Sequence, residues 1–193
     1  MRFRLPASCA TTILVLFASG TIQAADPLPP SPFRNFRTSD AEIRSAISAC
    51  YGYSVTCHQL IDQIESSSTF VYLSRGQCLP GQGGSCLRFS AASPEARYLH
   101  VVIDKDLTWD CLLKVTAHEL QHVVEVVRAP HVVDVASFRL LFARIGFFLR
   151  GSGMREDWET EEAQRIASVV SKEVRRSLRA DPLAFREARI GKE

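Results

Sequence analysis

The residues with the clearest capacity for chemistry are two histidines four positions apart, in the segment His118-Glu119-Leu120-Gln121-His122. On an α-helix, residues four apart lie on the same face, so both imidazoles can point at one ion. Glu119 is displaced by about 100° around the helix axis, which lets its carboxylate act on a nearby water without being a ligand. The pattern therefore predicts a zinc site with His118 and His122 as ligands and Glu119 as general base.

A catalytic zinc site needs a third protein ligand, and the histidine-bearing helix does not supply one. Glu125 lies on the same helical face but about 10 Å from His118, so it could brace His122 without completing the coordination shell. The next acidic candidates lie at the start of a segment predicted to be helical over residues 156–179, and they are Glu159, Glu161 and Glu162.

The apolar residues of that predicted helix form a single stripe, which consists of Ala163, Ile166, Val170 and Val174. By helical geometry, Glu159 lies within about 20° of the centre of the stripe and Glu162 about 40° to the other side, whereas Glu161 faces solvent. An inward-facing carboxylate is costly unless something pairs with it, and a metal ion would do so. Glu159 is therefore the predicted third metal ligand.

The elements that must position these residues follow from hydrophobic periodicity. Short stretches rich in β-branched and aromatic residues predict strands at 69–74, 86–90 and 98–103. Helices are predicted from residue 39 or 40 to about 49, and over residues 55–66, 110–128, 132–150, 156–179 and 182–189. This order indicates an α+β fold with a small antiparallel sheet packed on several helices and a helix-rich C-terminal half. The remaining histidines fit ordinary surface or strand positions better than ligand positions, and they are His58, His100 and His131.

The amino terminus has the three parts of a secretory signal peptide. Arg2 and Arg4 carry positive charge, residues 13–17 form a short apolar core, and cleavage is expected after Ala24, with Ala25 as a second candidate. The apolar run is well short of the roughly 20 residues that a bilayer span needs, so no stable membrane insertion is expected after cleavage. We therefore expect a secreted or periplasmic protein with a signal peptide over residues 1–24, a Pro-rich leader over 25–37 and a metal-binding domain over 38–193.

Export changes the interpretation of the cysteines, because disulfides are the default in an oxidising compartment. Cys78 and Cys86 flank a turn rich in Gly and Pro, and Cys50 and Cys57 flank a short connection. Two local disulfides are expected, which leaves Cys111 over. A second expectation, a disulfide from Cys111 to Cys50 or Cys57 that pins the start of the histidine-bearing helix, stands beside the first.

Composition and charge exclude several classes of function. The chain has 193 residues, of which 46% are hydrophobic and 23% charged, which is typical of an ordered globular domain. Its 23 Lys and Arg residues exceed its 21 Asp and Glu residues only through Arg2 and Arg4 in the signal peptide. A neutral mature chain has no electrostatic basis for binding nucleic acid or an anionic membrane.

The two segments that carry the predicted ligands also resemble a known family. The HELQHVVEV segment that starts at His118 and the WETEEA segment that starts at Trp158 are similar to those of the zincin metallopeptidases, specifically the gluzincin branch, and of a group of small exported bacterial proteins. The likeness extends over roughly residues 69–178. It implies a zincin-like fold that holds one Zn²⁺ per chain, with Glu159 in the place of the third ligand. The chain departs from the best-known gluzincin pattern, which has Asn before this Glu.

Three functions are compatible with these observations. The first is a zinc-dependent peptidase acting on a peptide or protein substrate, in which Glu119 takes a proton from water and passes it to the leaving amine. The second keeps the same zinc site for a structural role or for partner binding, without turnover. The third is a disulfide-stabilised interaction module in which the histidine pattern is accidental. Metal content separates the third from the others, and turnover that depends on Glu119 separates the first from the second.

Overall fold

The computed structural model describes residues 33–78, 84–148 and 158–180. Within these ranges the helices are α1 (Ala41–Tyr53), α2 (Val55–Glu65), α3 (Trp109–Val127), α4 (Val135–Ile145) and α5 (Glu161–Ala180). The strands are β1 (Phe36–Arg37), β2 (Thr69–Arg75), β3 (Ser85–Ala92), β4 (Arg97–Ile103), β5 (Phe147–Phe148) and β6 (Trp158–Glu159). The fold is α+β, as the sequence predicts, and α3 carries the histidine pair.

The main sheet is mixed, so the prediction of an antiparallel sheet is wrong. Its strand order is β1-β2-β4-β3, in which β1 and β4 each run parallel to β2, and β3 alone is antiparallel to its neighbour β4. Strand β4 is more buried than β3 and lies inside the sheet, whereas the more exposed β3 forms its edge. The order differs from the chain order β2-β3-β4 because the apolar strand β4 is buried inside the sheet and the more polar β3 stays at the solvated edge.

The two faces of the sheet differ in character. The inward side chains of β2 and β4 join the core formed with the helices, and they include Val71, Leu73, Leu99, Val101 and Ile103. The alternate positions form what we call the outer face, which carries Tyr72, Ser74 and His100. This alternation follows from the two-residue period of a strand.

Helix α3 is the central helix of the core and is fixed at its C-terminal end by Arg97 of β4. The guanidinium of Arg97 donates hydrogen bonds to the carbonyl oxygens of Val126 at 2.8 Å and Ala129 at 3.0 Å. A cation at this end compensates the carbonyl groups that lack a partner within the helix and suits the helix dipole. The contact sets the position of α3 relative to the sheet and therefore that of its histidines.

The last two described helices are shorter than predicted. Helix α4 ends at Ile145, because the chain turns at Gly146 into β5. Helix α5 begins at Glu161, because Trp158 and Glu159 pair with β5 and Thr160 caps the helix by accepting a hydrogen bond from the Ala163 amide at 3.1 Å. The helix predicted over residues 182–189 lies outside the described residues.

Both predicted local disulfides are confirmed. Cys50 is bonded to Cys57 and Cys78 to Cys86, with Cα–Cα distances of 5.6 and 5.9 Å. Cys111 is exposed and unpaired, so the second expectation, a disulfide from Cys111 to Cys50 or Cys57, is wrong. The short connections already bring each local pair within bonding range. Two disulfides are typical of proteins from an oxidising compartment outside the cytosol.

The predicted signal peptide lies outside the described residues, as does most of the predicted leader. Phe36, near the end of that leader, is buried in the core and lies in β1, which pairs with β2. None of the helices in the described ranges combines the length and the apolar character that a membrane span requires.

Candidate metal centre

Helix α3 places the two predicted histidine ligands on one face, one turn apart. The ring centroids of His118 and His122 lie 4.7 Å apart, and their planes are almost perpendicular. The Nε2 atoms of the two rings are only 3.2 Å apart. The i, i+4 spacing thus brings both imidazoles to a common point, as the sequence predicts.

Glu159 reaches the same point from the other side, but from a strand and not from a helix. It is the last residue of β6, directly before the cap of α5, so the reasoning that placed it on a helical stripe is wrong although the residue is the predicted one. Its Oε2 atom lies 3.3 Å from His118 Nε2, and its Oε1 atom lies 3.3 Å from His122 Nε2. Glu161 and Glu162, the other candidates, are exposed.

Pairing with β5 holds β6 in this position, and the close approach of the two segments requires glycine at position 146. A Cβ atom at Gly146 would lie 2.6 Å from the carbonyl oxygen of Glu159 and 2.8 Å from that of Phe142. Both contacts involve backbone atoms and are shorter than real Cβ contacts allow. Only glycine permits the end of α4 to approach β6 this closely.

The spacing of the three side chains fits a metal ion. Within the described residues, His118, His122 and Glu159 are the one group of metal-ligating side chains whose ligand atoms all lie within 4.8 Å of one another. Their closest separations are 3.2 to 3.3 Å, and Glu159 approaches His118 through Oε2 and His122 through Oε1. A tetrahedral zinc ion with bonds of about 2.0–2.1 Å would hold its ligand atoms about 3.3 Å apart. The group could therefore hold a metal ion.

Glu125 and Thr160 fix the ligands from behind. His122 Nδ1 donates a hydrogen bond to Glu125 Oε2 at 2.8 Å, which leaves Nε2 facing the cluster. Thr160 donates its hydroxyl to Glu125 Oε1 at 2.8 Å and its backbone amide to Glu159 Oε1 at 2.7 Å. These bonds connect a ligand on α3 to the ligand on β6. Glu125 thus braces His122, as its position on the helix predicts.

The electrostatics of the cluster favour a cation. Burial disfavours the charged form of His122, but hydrogen bonds to Glu125 and Glu159 outweigh burial and raise the pKa of His122 to about 10. Burial also disfavours the charged form of Glu159, yet hydrogen bonds from His118 and His122 hold the pKa of this carboxyl well below its usual range. The site therefore stabilises a positive charge, whether a proton or a metal ion.

Glu119 lies beside the cluster and is 2% exposed. Its Oε1 atom accepts a 2.5 Å hydrogen bond from the Ser85 hydroxyl, whereas Oε2 is buried without a hydrogen-bond partner among the described residues. Burial raises the pKa of Glu119, against the opposing effect of His122 and His118. A buried carboxylate with one oxygen unpaired has the properties of a proton acceptor poised for a bound molecule.

The other histidines take no part in the cluster. His58 stacks on Tyr51 and lies 3.3 Å from Asp62, His100 lies on the outer face of the sheet, and His131 is exposed. None of them belongs to a metal-ligating group within the described ranges. Sequence reasoning missed Ser85 and Thr160. Thr160 has a signal, since a threonine before a helical segment is a common cap, whereas Ser85 has none because it lies 34 positions from Glu119.

Comparison with known proteins gives no match, whether to a family model, a curated protein or a solved structure. The zincin resemblance therefore stays a prediction.

Proposed function

We propose that this chain is an exported zinc-dependent peptidase whose metal is held by His118, His122 and Glu159. The observation that carries the proposal is the convergence of two imidazoles and a carboxylate at 3.2 to 3.3 Å beside a buried glutamate with one unpaired oxygen. A purely structural zinc site is usually closed by four protein ligands. Three ligands next to a candidate base are typical of a hydrolytic centre.

The donor set favours zinc over Mg²⁺ and Ca²⁺. Two imidazole nitrogens, which are borderline donors, and one carboxylate oxygen, which is a hard donor, form a set that catalytic zinc uses, whereas Mg²⁺ and Ca²⁺ prefer oxygen donors alone. When bound, zinc would polarise a substrate carbonyl and lower the pKa of a coordinated water towards 7.

The protein's own side chains supply the remaining steps. Glu119 accepts the proton of the attacking water through its unpaired Oε2 and delivers that proton to the amine that leaves when the peptide bond breaks. Glu125 keeps His122 in the tautomer that presents Nε2 to the metal. Thr160 holds the Glu159 carboxylate against rotation through its backbone amide.

Location follows from the disulfides and from the predicted signal peptide. The two disulfides need an oxidising environment to form and persist. We propose export to the periplasm or the cell exterior, with the substrate a peptide or an unfolded protein in that compartment.

The test replaces Glu119 with Gln and measures both zinc content and cleavage of an unfolded protein such as casein. An amide cannot accept a proton at neutral pH, so turnover should fall at least a thousandfold while zinc stays bound, because Glu119 is not a ligand. Glu161→Gln is the matched control, since this exposed neighbour of the ligand should change neither quantity.

Two results would contradict the proposal. Loss of zinc in Glu119→Gln would mean that Glu119 is itself a ligand. A parent chain that binds zinc but cleaves no member of a broad peptide panel would assign the site to metal-dependent binding without turnover.

A further inference from the structure

The first residue of β3 contacts the carboxylate that the proposed function uses as base. Ser85 Oγ donates a 2.5 Å hydrogen bond to Glu119 Oε1, and Glu119 Oε2 has no such partner among the described residues. The two oxygens of one carboxylate are therefore made inequivalent by a single hydroxyl. One oxygen is held by the protein, and the other is buried without a hydrogen-bond partner among the described residues.

The backbone around Ser85 is anchored on three sides. Ser85 is paired with Ile103 of β4, and the preceding Gly84 accepts a hydrogen bond from the Asp104 amide at 2.7 Å. Cys86, the next residue, is tied to Cys78 by a disulfide. Gly84 itself has a φ of +114°, which favours glycine and turns the chain into β3. The hydroxyl is thus presented by an edge strand whose end is fixed.

We propose that Ser85 is a positioning residue that orients Glu119, and that the Cys78–Cys86 disulfide keeps it in place. This inference rests on the proposed function and extends it to a residue on a different element. The last torsion of a glutamate side chain is broad, so a carboxylate without a fixed partner samples many orientations. The Ser85 hydroxyl fixes Oε1 and so leaves Oε2 as the oxygen of Glu119 without a protein partner among the described residues.

The first test compares Ser85→Ala with Ser85→Thr. Loss of a hydrogen bond to a charged group should lower kcat roughly tenfold. KM and zinc affinity should stay within about twofold, because Ser85 contacts no metal ligand in the described structure. Ser85→Thr keeps a hydroxyl on the same strand and should restore most of kcat.

Ser74→Ala is the matched control for this comparison. It also removes a serine hydroxyl from a strand of the same sheet, at 2.8 Å from His100 Nε2 on the outer face. It should leave kcat unchanged. Replacing Cys78 and Cys86 together with Ala should lower kcat in the same direction as Ser85→Ala, with zinc retained.

The second test is a double-mutant cycle on the melting temperature of the zinc-free chain, which needs no turnover. Ser85→Ala should lower the melting temperature by several degrees in the parent, because it leaves Glu119 Oε1 buried and unpaired. The same change in a Glu119→Ala background should have little effect, since the acceptor is already gone.

Each alternative outcome has a distinct meaning. The inference is overturned if kcat is unchanged in Ser85→Ala, if zinc is lost in step with kcat, or if the melting-temperature effect is the same in both backgrounds. A parent chain that binds zinc and cleaves nothing would overturn the proposed function alone, because the thermal cycle still measures whether Ser85 holds Glu119.

Discussion

The metal centre and the outer face of the sheet both carry histidine, but only the metal centre brings potential ligand atoms together. At the centre, two imidazoles and the Glu159 carboxylate converge within 3.3 Å. On the outer face, His100 Nε2 lies 2.8 Å from the Ser74 hydroxyl and lines an open cavity of about 460 Å³ whose described lining contains no carboxylate. Residue type alone therefore does not make a metal site.

Burial and rigid support account for the difference. His122 is buried and is hydrogen-bonded from behind by Glu125, so its ring has a fixed orientation and Nε2 is the nitrogen that faces the cluster. His100 is half-buried and has a neutral hydroxyl as its partner. A cation at the centre compensates the negative charge of the buried carboxylates Glu119 and Glu159, whereas a cation on the outer face would meet no carboxylate among the described lining residues.

The largest expected effect is the loss of zinc affinity when a histidine of the metal centre is removed. His122→Ala should weaken zinc binding at least a thousandfold, because it removes one of three ligands and the described structure has no spare donor in reach. His100→Ala should leave zinc affinity unchanged. Competition with a chromogenic chelator measures both variants, and equal losses of zinc affinity would show that His100 matters to the metal as much as His122 does.

A smaller effect is expected from the glycine that lets β6 approach the site. Gly146→Ala introduces a Cβ against two backbone oxygens at 2.6 and 2.8 Å, so β6 must shift and carry Glu159 away from the histidines. Zinc affinity should fall about tenfold to a hundredfold. Gly52→Ala in α1 is the control, because nothing lies within 4 Å of its added Cβ and alanine favours a helix, so zinc affinity should not change and the melting temperature should rise slightly. An unaltered affinity in Gly146→Ala would mean that the position of Glu159 does not depend on this contact.

The smallest expected effect is the release of a proton from His122 when zinc binds. Since the pKa of His122 is raised to about 10, this imidazole is protonated in the zinc-free chain at pH 7.5 and must lose that proton when zinc binds. Calorimetric titrations in buffers of different ionisation enthalpy should show about one proton released per zinc, with affinity rising as pH rises towards 10. Release of no proton would show that His122 is neutral before zinc arrives.

The raised pKa of His122 also determines how the stability of the zinc-free chain changes with pH. A histidine whose folded pKa is raised contributes stability that is fully present below its unfolded value near 6.5 and is lost as pH rises through about 10. The zinc-free chain should therefore lose stability between pH 7 and 10. The zinc-loaded chain should lose less over this range, because the metal takes the place of the proton.

The histidine pair and the local disulfides could be predicted because each depends on short sequence separations. A four-residue spacing on a helix places His118 next to His122 whatever the rest of the fold does. Cysteines seven and eight positions apart meet for a similar reason. These features follow from local geometry.

The parts that sequence reasoning missed depend on contacts between distant segments. Glu159 was predicted from helical periodicity, but pairing of β6 with β5 overrides the helix at that position. The inner place of β4 in the sheet and the contact of Ser85 with Glu119 are set by burial across the domain. No local pattern encodes either of them.

The central claim is that His118, His122 and Glu159 together hold one metal ion. Elemental analysis of the purified chain, saturated with zinc and then desalted, tests it most directly. We expect one zinc per chain in the parent and a large loss of zinc in Glu159→Gln. A parent chain that stays free of zinc after this treatment, or a Glu159→Gln variant that keeps a full complement, would contradict the account.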